Sequence, residues 1–186
     1  MFSREEIDRL ISGKPLSDEY SFDDVYETEA ASPIRAVCRQ IEDLTGVKSR
    51  HEFDYGEGFA SFVAAWFYFE TPDWAAPRPF KSHAYQGLCV TLSRLSPYFI
   101  MLEGNKEWDD RGSSGFLPDF PSIDDMPTPV VREFSERVQT ILEDNGWIRL
   151  HKPDLAGVLS PDIEIDTNLS DLEQLREFDA LFYWWD

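Results

Sequence analysis

A chain of 186 residues can bury one substantial hydrophobic core but falls short of what two full cores need, so a single domain over 1–186 is expected. The 36 acidic residues against 17 Lys and Arg leave a formal charge of -19. A field of that sign disfavours direct nucleic-acid binding and speeds encounter with a basic partner.

The segment Ser3 to Glu6 has the form of a capping box, and Ile7, Leu10 and Ile11 supply an apolar face for a short first helix before Gly13 and Pro15. Ser32-Pro33 pairs an N-cap with a proline at the first helical position. Ile34, Val37, Cys38, Ile41 and Leu44 then recur at helical spacing, which predicts a helix over 33–45. The run 59–69 is apolar on both parities, as a central strand covered on both faces is and as a buried helix also is; its aromatic content favours the strand. Residues 88–95 and 98–102 are β-rich and joined by Ser96-Pro97, a connection too short for anything but an antiparallel hairpin.

Thr128-Pro129 repeats the cap-and-proline signature. Val131, Phe134, Val138, Ile141 and Leu142 predict a helix over 129–144 that stops at Asn145-Gly146. A short strand follows at 147–150, and the crowded aromatics of 178–185 predict another. The fold class expected is α+β, a mainly antiparallel sheet packed by about three helices. Residues 14–31, 70–86 and 104–127 read as irregular stretches, of a length that is often functional.

Cys38 and Cys89 lie in apolar patterns without metal-ligand or redox spacing and read as buried hydrophobes, which fits a reducing compartment. The start Met1-Phe2-Ser3-Arg4-Glu5-Glu6 places charge where an apolar signal core would lie, and no later stretch reaches the length of a membrane span. A cytoplasmic protein without a membrane partner is expected.

The chemistry-bearing residues are dispersed. His51, His83 and His151 fall in different segments, so no zinc site is expected. His51 has carboxylates beside it, but a lone loop histidine is more often a surface residue than a base. Gly112-Ser113-Ser114-Gly115 lacks the spacing of a nucleophile elbow and reads as a mobile loop, and Gly56-Glu57-Gly58 reads as a turn. Asp162, Glu164, Asp166, Asn168, Ser170 and Glu173 match the ligand spacing of a calcium loop, yet Thr167 stands where the sharp turn needs glycine. Neither metal nor cofactor is expected.

Two stretches interleave acids with aromatics. One holds Asp18, Glu19, Tyr20, Phe22, Asp23, Asp24, Tyr26, Glu27 and Glu29. The other holds Glu107, Trp108, Asp109, Asp110, Phe116, Asp119, Phe120, Asp124 and Asp125. Rigid aromatic anchors within a charged rim are what an interface needs, and a basic protein partner is expected there. The candidate contact residues are Asp18, Glu19, Tyr20, Asp23, Asp24, Tyr26, Glu27, Trp108, Asp109 and Asp110. The aromatic end 178–186 reads as core.

With these acidic segments and this aromatic ending, the chain resembles in general character bacterial immunity proteins, which neutralise a cognate toxin. The resemblance identifies no named family and transfers no residue roles. It implies an intracellular binding module that covers the basic cleft of a toxin with carboxylates and aromatics. The alternatives from the residues are a nucleic-acid mimic that inhibits a DNA- or RNA-binding protein, and a small enzyme using carboxylates.

Overall fold

The computed structural model describes residues 2–17, 33–53, 59–77, 79–114, 117–167 and 174–185. Helix α1 (Arg4–Ile11) forms where expected: Ser3 Oγ accepts from Glu6 N at 3.2 Å and Glu6 Oε2 accepts from Ser3 N at 2.7 Å. Helix α2 (Pro33–Glu42) ends three residues before the predicted 45. The chain turns through Gly46 at φ 84°, a conformation that glycine adopts without penalty, and enters the first strand there. Its expected cap, Ser32, lies outside the described residues.

Helix α3 (Pro129–Asp144) has the predicted bounds, but the Thr128 side chain makes no capping bond. The Thr128 hydroxyl instead donates to Glu103 Oε1 at 2.6 Å, and its N–H to Glu103 Oε2 at 2.9 Å. The helix is thereby tied to the sheet at its first turn.

The strands are β1 (Val47–Glu52), β2 (Phe59–Ala60), β3 (Phe62–Phe69), β4 (His83–Ser93), β5 (Tyr98–Asp109), β6 (Gly112–Ser114), β7 (Ile148–Arg149) and β8 (Trp184–Trp185). Among the described residues, one six-stranded sheet runs β1-β3-β4-β5-β6, with β7 parallel to β5, and β2 pairs β8 in a small second sheet. The apolar run 59–69 is therefore strand, with β3 buried between β1 and β4. The hairpin is much longer than predicted, with register from Leu92↔Phe99 to His83↔Trp108. Residues 83–86 and 104–109, expected to be irregular, extend it. Gly112 to Ser114 is a strand on β5 and not a loop.

The carboxyl end also departs from the sequence reading. Residues Glu177–Leu181 form helix α4, and strand structure is confined to β8. Phe178, Ala180, Leu181 and Phe182 are all buried, so this run is surrounded and its apparent alternation carries no information about a strand. The Asp179 carboxylate accepts from Arg176 N at 2.7 Å and starts the helical turn.

Side chains on the sheet alternate between two faces. One, with Val63, Ala65, Phe67 and Phe69, is covered by the buried stripes of α2 and α3; Phe69 meets Phe134 edge-on at 5.2 Å. The other is covered at the β4–β5 turn end, where Phe62 packs on Phe182 and the Tyr183 hydroxyl donates to Leu10 O at 2.8 Å. The outer edge of β5 is closed by β7, by β6, and between them by Asp124 N to Met101 O and Glu103 N to Asp125 O, each 3.0 Å. On the opposite edge, β1 presents exposed Lys48 and Arg50, charges that discourage edge pairing. No helix among the described residues is long and apolar enough to cross a membrane.

Candidate partner-binding face

At the end of the second face nearest the β5–β6 turn, Gly87 and Gly104 oppose each other across the hairpin and leave the backbone bare. The Trp66 indole fills that gap. Its Nε1 donates to Gly104 O at 3.2 Å, and a Cβ on Gly87 would stand 2.5 Å from Trp66 Cε2. Tyr68 stacks on Trp66 with centroids 4.6 Å apart, and Trp108 sets its ring at a steep angle to both, at 6.2 Å from Trp66 and 5.5 Å from Tyr68. Tyr85 closes on Tyr68 at 5.1 Å.

Cationic and exposed groups finish the cluster. The Arg50 guanidinium lies 3.9 Å over the Trp108 ring. Burial raises the Tyr68 pKa, and the Arg50 contact works against that rise. The His83 ring stacks on Trp108 at 5.5 Å and 9°. Lys106, buried beneath, is paired with Glu52. Segment 80–82 runs alongside, with Phe80 N donating to Glu107 Oε2 at 2.9 Å and Lys81 Nζ to Gly112 O at 2.9 Å, while the Phe80 ring is 95% exposed.

Of the predicted contact residues, Asp18, Glu19, Tyr20, Asp23, Asp24, Tyr26 and Glu27 lie outside the described residues. Trp108 and Asp109 end β5, and Asp110 is exposed in the turn to β6. Trp108 is not on a loop among acids: it is half-buried on the sheet face beside Arg50 and His83. Asp109 projects to the opposite face, where its Oδ1 accepts from Arg111 N at 2.8 Å and lies 3.8 Å from Lys81 Nζ. Farther along the same stretch, Phe120 is pinned by Phe178 and Arg176, and Asp124 by Arg149, His151 and the Lys152 backbone. Sequence reasoning missed Arg50, Phe80, His83 and Tyr85. Only the full length of the β4–β5 pairing brings His83 and Tyr85 to Trp108; alternation continued past Gly87 and Gly104 was the available signal.

The histidines part company. His151 Nδ1 lies 3.1 Å from Asp124 Oδ1 at an exposed position. His51, expected in a loop, is on β1 and turned inward, its Nε2 2.8 Å from Glu42 Oε1. Burial lowers its pKa against the opposing pull of Glu42. Burial alone would raise the Glu42 carboxyl, but hydrogen bonds from Ser49 and His51 outweigh it and the net shift is downward. Both cysteines are buried free thiols, pushed up to about 12 at Cys38 and about 11 at Cys89 by desolvation. No cluster of potential metal ligands occurs among the described residues. In the calcium-like segment the Asp162 carboxylate accepts from Arg4 Nη1 at 2.7 Å, and residues 168–173 lie outside the described residues.

No family model, curated protein or solved structure matches the chain.

Proposed function

We propose that the protein is a binding module of the immunity type, which neutralises a basic toxin by covering it, and that Trp108 is the centre of its contact surface. The observation that supports this reading most is Phe80: a ring 95% exposed on the segment that leads into His83, which pairs with Trp108 across the hairpin. Aromatic rings with an arginine at the centre and charge at the rim are the composition in which contact energy concentrates. Trp108 and Phe80 enter an apolar recess of the partner, and Asp110, exposed in the turn to β6, meets its cations.

The test begins with a pull-down from native lysate, followed by calorimetry of the captured basic partner against Phe80→Ala and Trp108→Ala. Truncating Trp108 is expected to weaken binding by on the order of 2 kcal/mol. Phe80→Ala is expected to weaken it while leaving the melting temperature unchanged, since an exposed ring holds little of the fold. Recovery of no basic partner, or equal affinity for both variants and wild type, would overturn the proposal.

A further inference from the structure

On the helix-covered face of the sheet, where the first turn of α3 is tied down, a cavity of about 310 Å³ is lined by Gln86, Glu103, Asn105, Ser122 and Asp125. Gln86 and Asn105 oppose each other across the hairpin, and Glu103 shares their face of the sheet. The backbone that carries Asp125 is fixed, its N–H donating to Ser122 O and its carbonyl accepting from Glu103 N, each at 3.0 Å. The Asp125 side chain is exposed and makes no hydrogen bond or ion pair among the described residues. The Thr128 hydroxyl reaches both Glu103 Oε1 and Gln86 Oε1 but has one proton to give. The charged Glu103 is the stronger acceptor and takes it. The contact with Gln86 is then satisfied only with the amide turned to donate Nε2 to the Thr128 oxygen, which leaves Gln86 Oε1 an acceptor without a partner.

The cavity is therefore rich in acceptors. Each Glu103 oxygen gives one lone pair to Thr128 and keeps another, and the Asp125 carboxylate keeps all of its own. Pro77 and Pro127, which complete the walls, have no N–H, and no Lys or Arg lines the cavity among the described residues. We propose that the cavity binds a guanidinium group, its N–H fork on the Glu103 and Asp125 carboxylates and a further N–H on Gln86 Oε1. Two carboxylates alone attract any cation; the added neutral acceptor selects for donors that are spread out. A guanidinium holds five donors in a rigid plane and has no acceptor, whereas an ammonium gathers three at one point and keeps its water more tightly. Size agrees: 310 Å³ holds about ten water-sized groups at ~30 Å³ each, which admits an arginine side chain and excludes a folded segment. Two sources share this chemistry, a free guanidino compound and an arginine side chain of another protein.

The test is a ¹H–¹⁵N titration of the intact protein with methylguanidinium chloride, methylammonium chloride, urea and a capped Gly-Arg-Gly peptide. Methylguanidinium is expected to shift the amides of 86, 103–105 and 122–125 saturably. Methylammonium has the charge without the fork and urea the plane without the charge, and each is expected to bind about tenfold or more weakly. Asp125→Asn, at an exposed position, keeps the backbone contacts and is expected to weaken methylguanidinium about tenfold while the rest of the spectrum stays in place. Peptide binding at least as tight as that of methylguanidinium assigns the site to an arginine of another protein, and weaker peptide binding assigns it to a free guanidino compound. The proposal fails if methylguanidinium gives no saturable shift at concentrations on the order of 10 mM, if methylammonium or urea matches it, or if Asp125→Asn binds like wild type. The cavity and the Trp108 cluster lie on opposite sides of the sheet. Trp108→Ala is therefore expected to leave this titration unchanged, which separates a failure here from a failure of the partner-binding reading.

Discussion

Burial keeps the His51 imidazole neutral in the folded protein, and that choice has a pH signature. Its folded pKa lies below the ordinary 6.5. Above 6.5 both folded and unfolded states are neutral; below it the unfolded state takes the proton first, so stability falls until the folded pKa is reached. Glu42, held below its ordinary 4.5, adds a contribution that is complete above 4.5 and lost as pH falls through the lowered value. The expected outcome is that urea midpoints decline between about pH 7 and 5, and that His51→Phe flattens this part of the profile while keeping the steeper loss in stronger acid. An unchanged slope in the variant would show that other groups carry the acid sensitivity.

Within the elements, the β4–β5 hairpin depends on two residues that local propensity counts against it. Gly87 and Gly104 depress a strand prediction, yet their lack of a side chain is what admits Trp66 to the hairpin surface. Gly87→Ala would place a Cβ 2.5 Å from Trp66 Cε2 and 2.6 Å from the Phe67 carbonyl oxygen, and neither ring nor backbone can yield cheaply. A loss of about 1–3 kcal/mol is expected in chemical denaturation, with a change in tryptophan fluorescence as Trp66 and Trp108 are displaced. Native-like stability with native fluorescence would mean that the glycine pair does not shape the aromatic cluster. The helices needed no such context: the α3 stripe of Val131, Phe134, Val138 and Leu142 is buried as its spacing required. At 178–182 the same reasoning fails, because burial on every side erases periodicity.

For the whole molecule, the proposed partner binding gives the charge of -19 a role before contact and Trp108 a role after it. Steering extends over roughly a Debye length, about 10 Å at 0.1 M salt, so raising ionic strength is expected to slow association with the basic partner by about tenfold or more while leaving dissociation nearly unchanged. Trp108→Ala is expected to do the reverse, raising the off-rate with little effect on the on-rate. Stopped-flow mixing at low and high salt distinguishes the two. A salt-independent on-rate would remove electrostatic steering from the account.

The sequence by itself determined the fold class, the capping box of α1, the bounds of α3 and the existence of the hairpin, and it favoured strand over buried helix for 59–69, because each rests on contacts between near neighbours in the chain. Caps, glycine stops and apolar stripes are local and leave a local record. Tertiary structure decided how far the hairpin extends, that 177–181 is helical, that Trp108 stands beside Arg50 and His83, and that Glu42 meets His51 across α2 and β1. Those arrangements depend on strand register and on which face each side chain takes. A one-residue shift in register reverses every face, so neither composition nor spacing records the outcome.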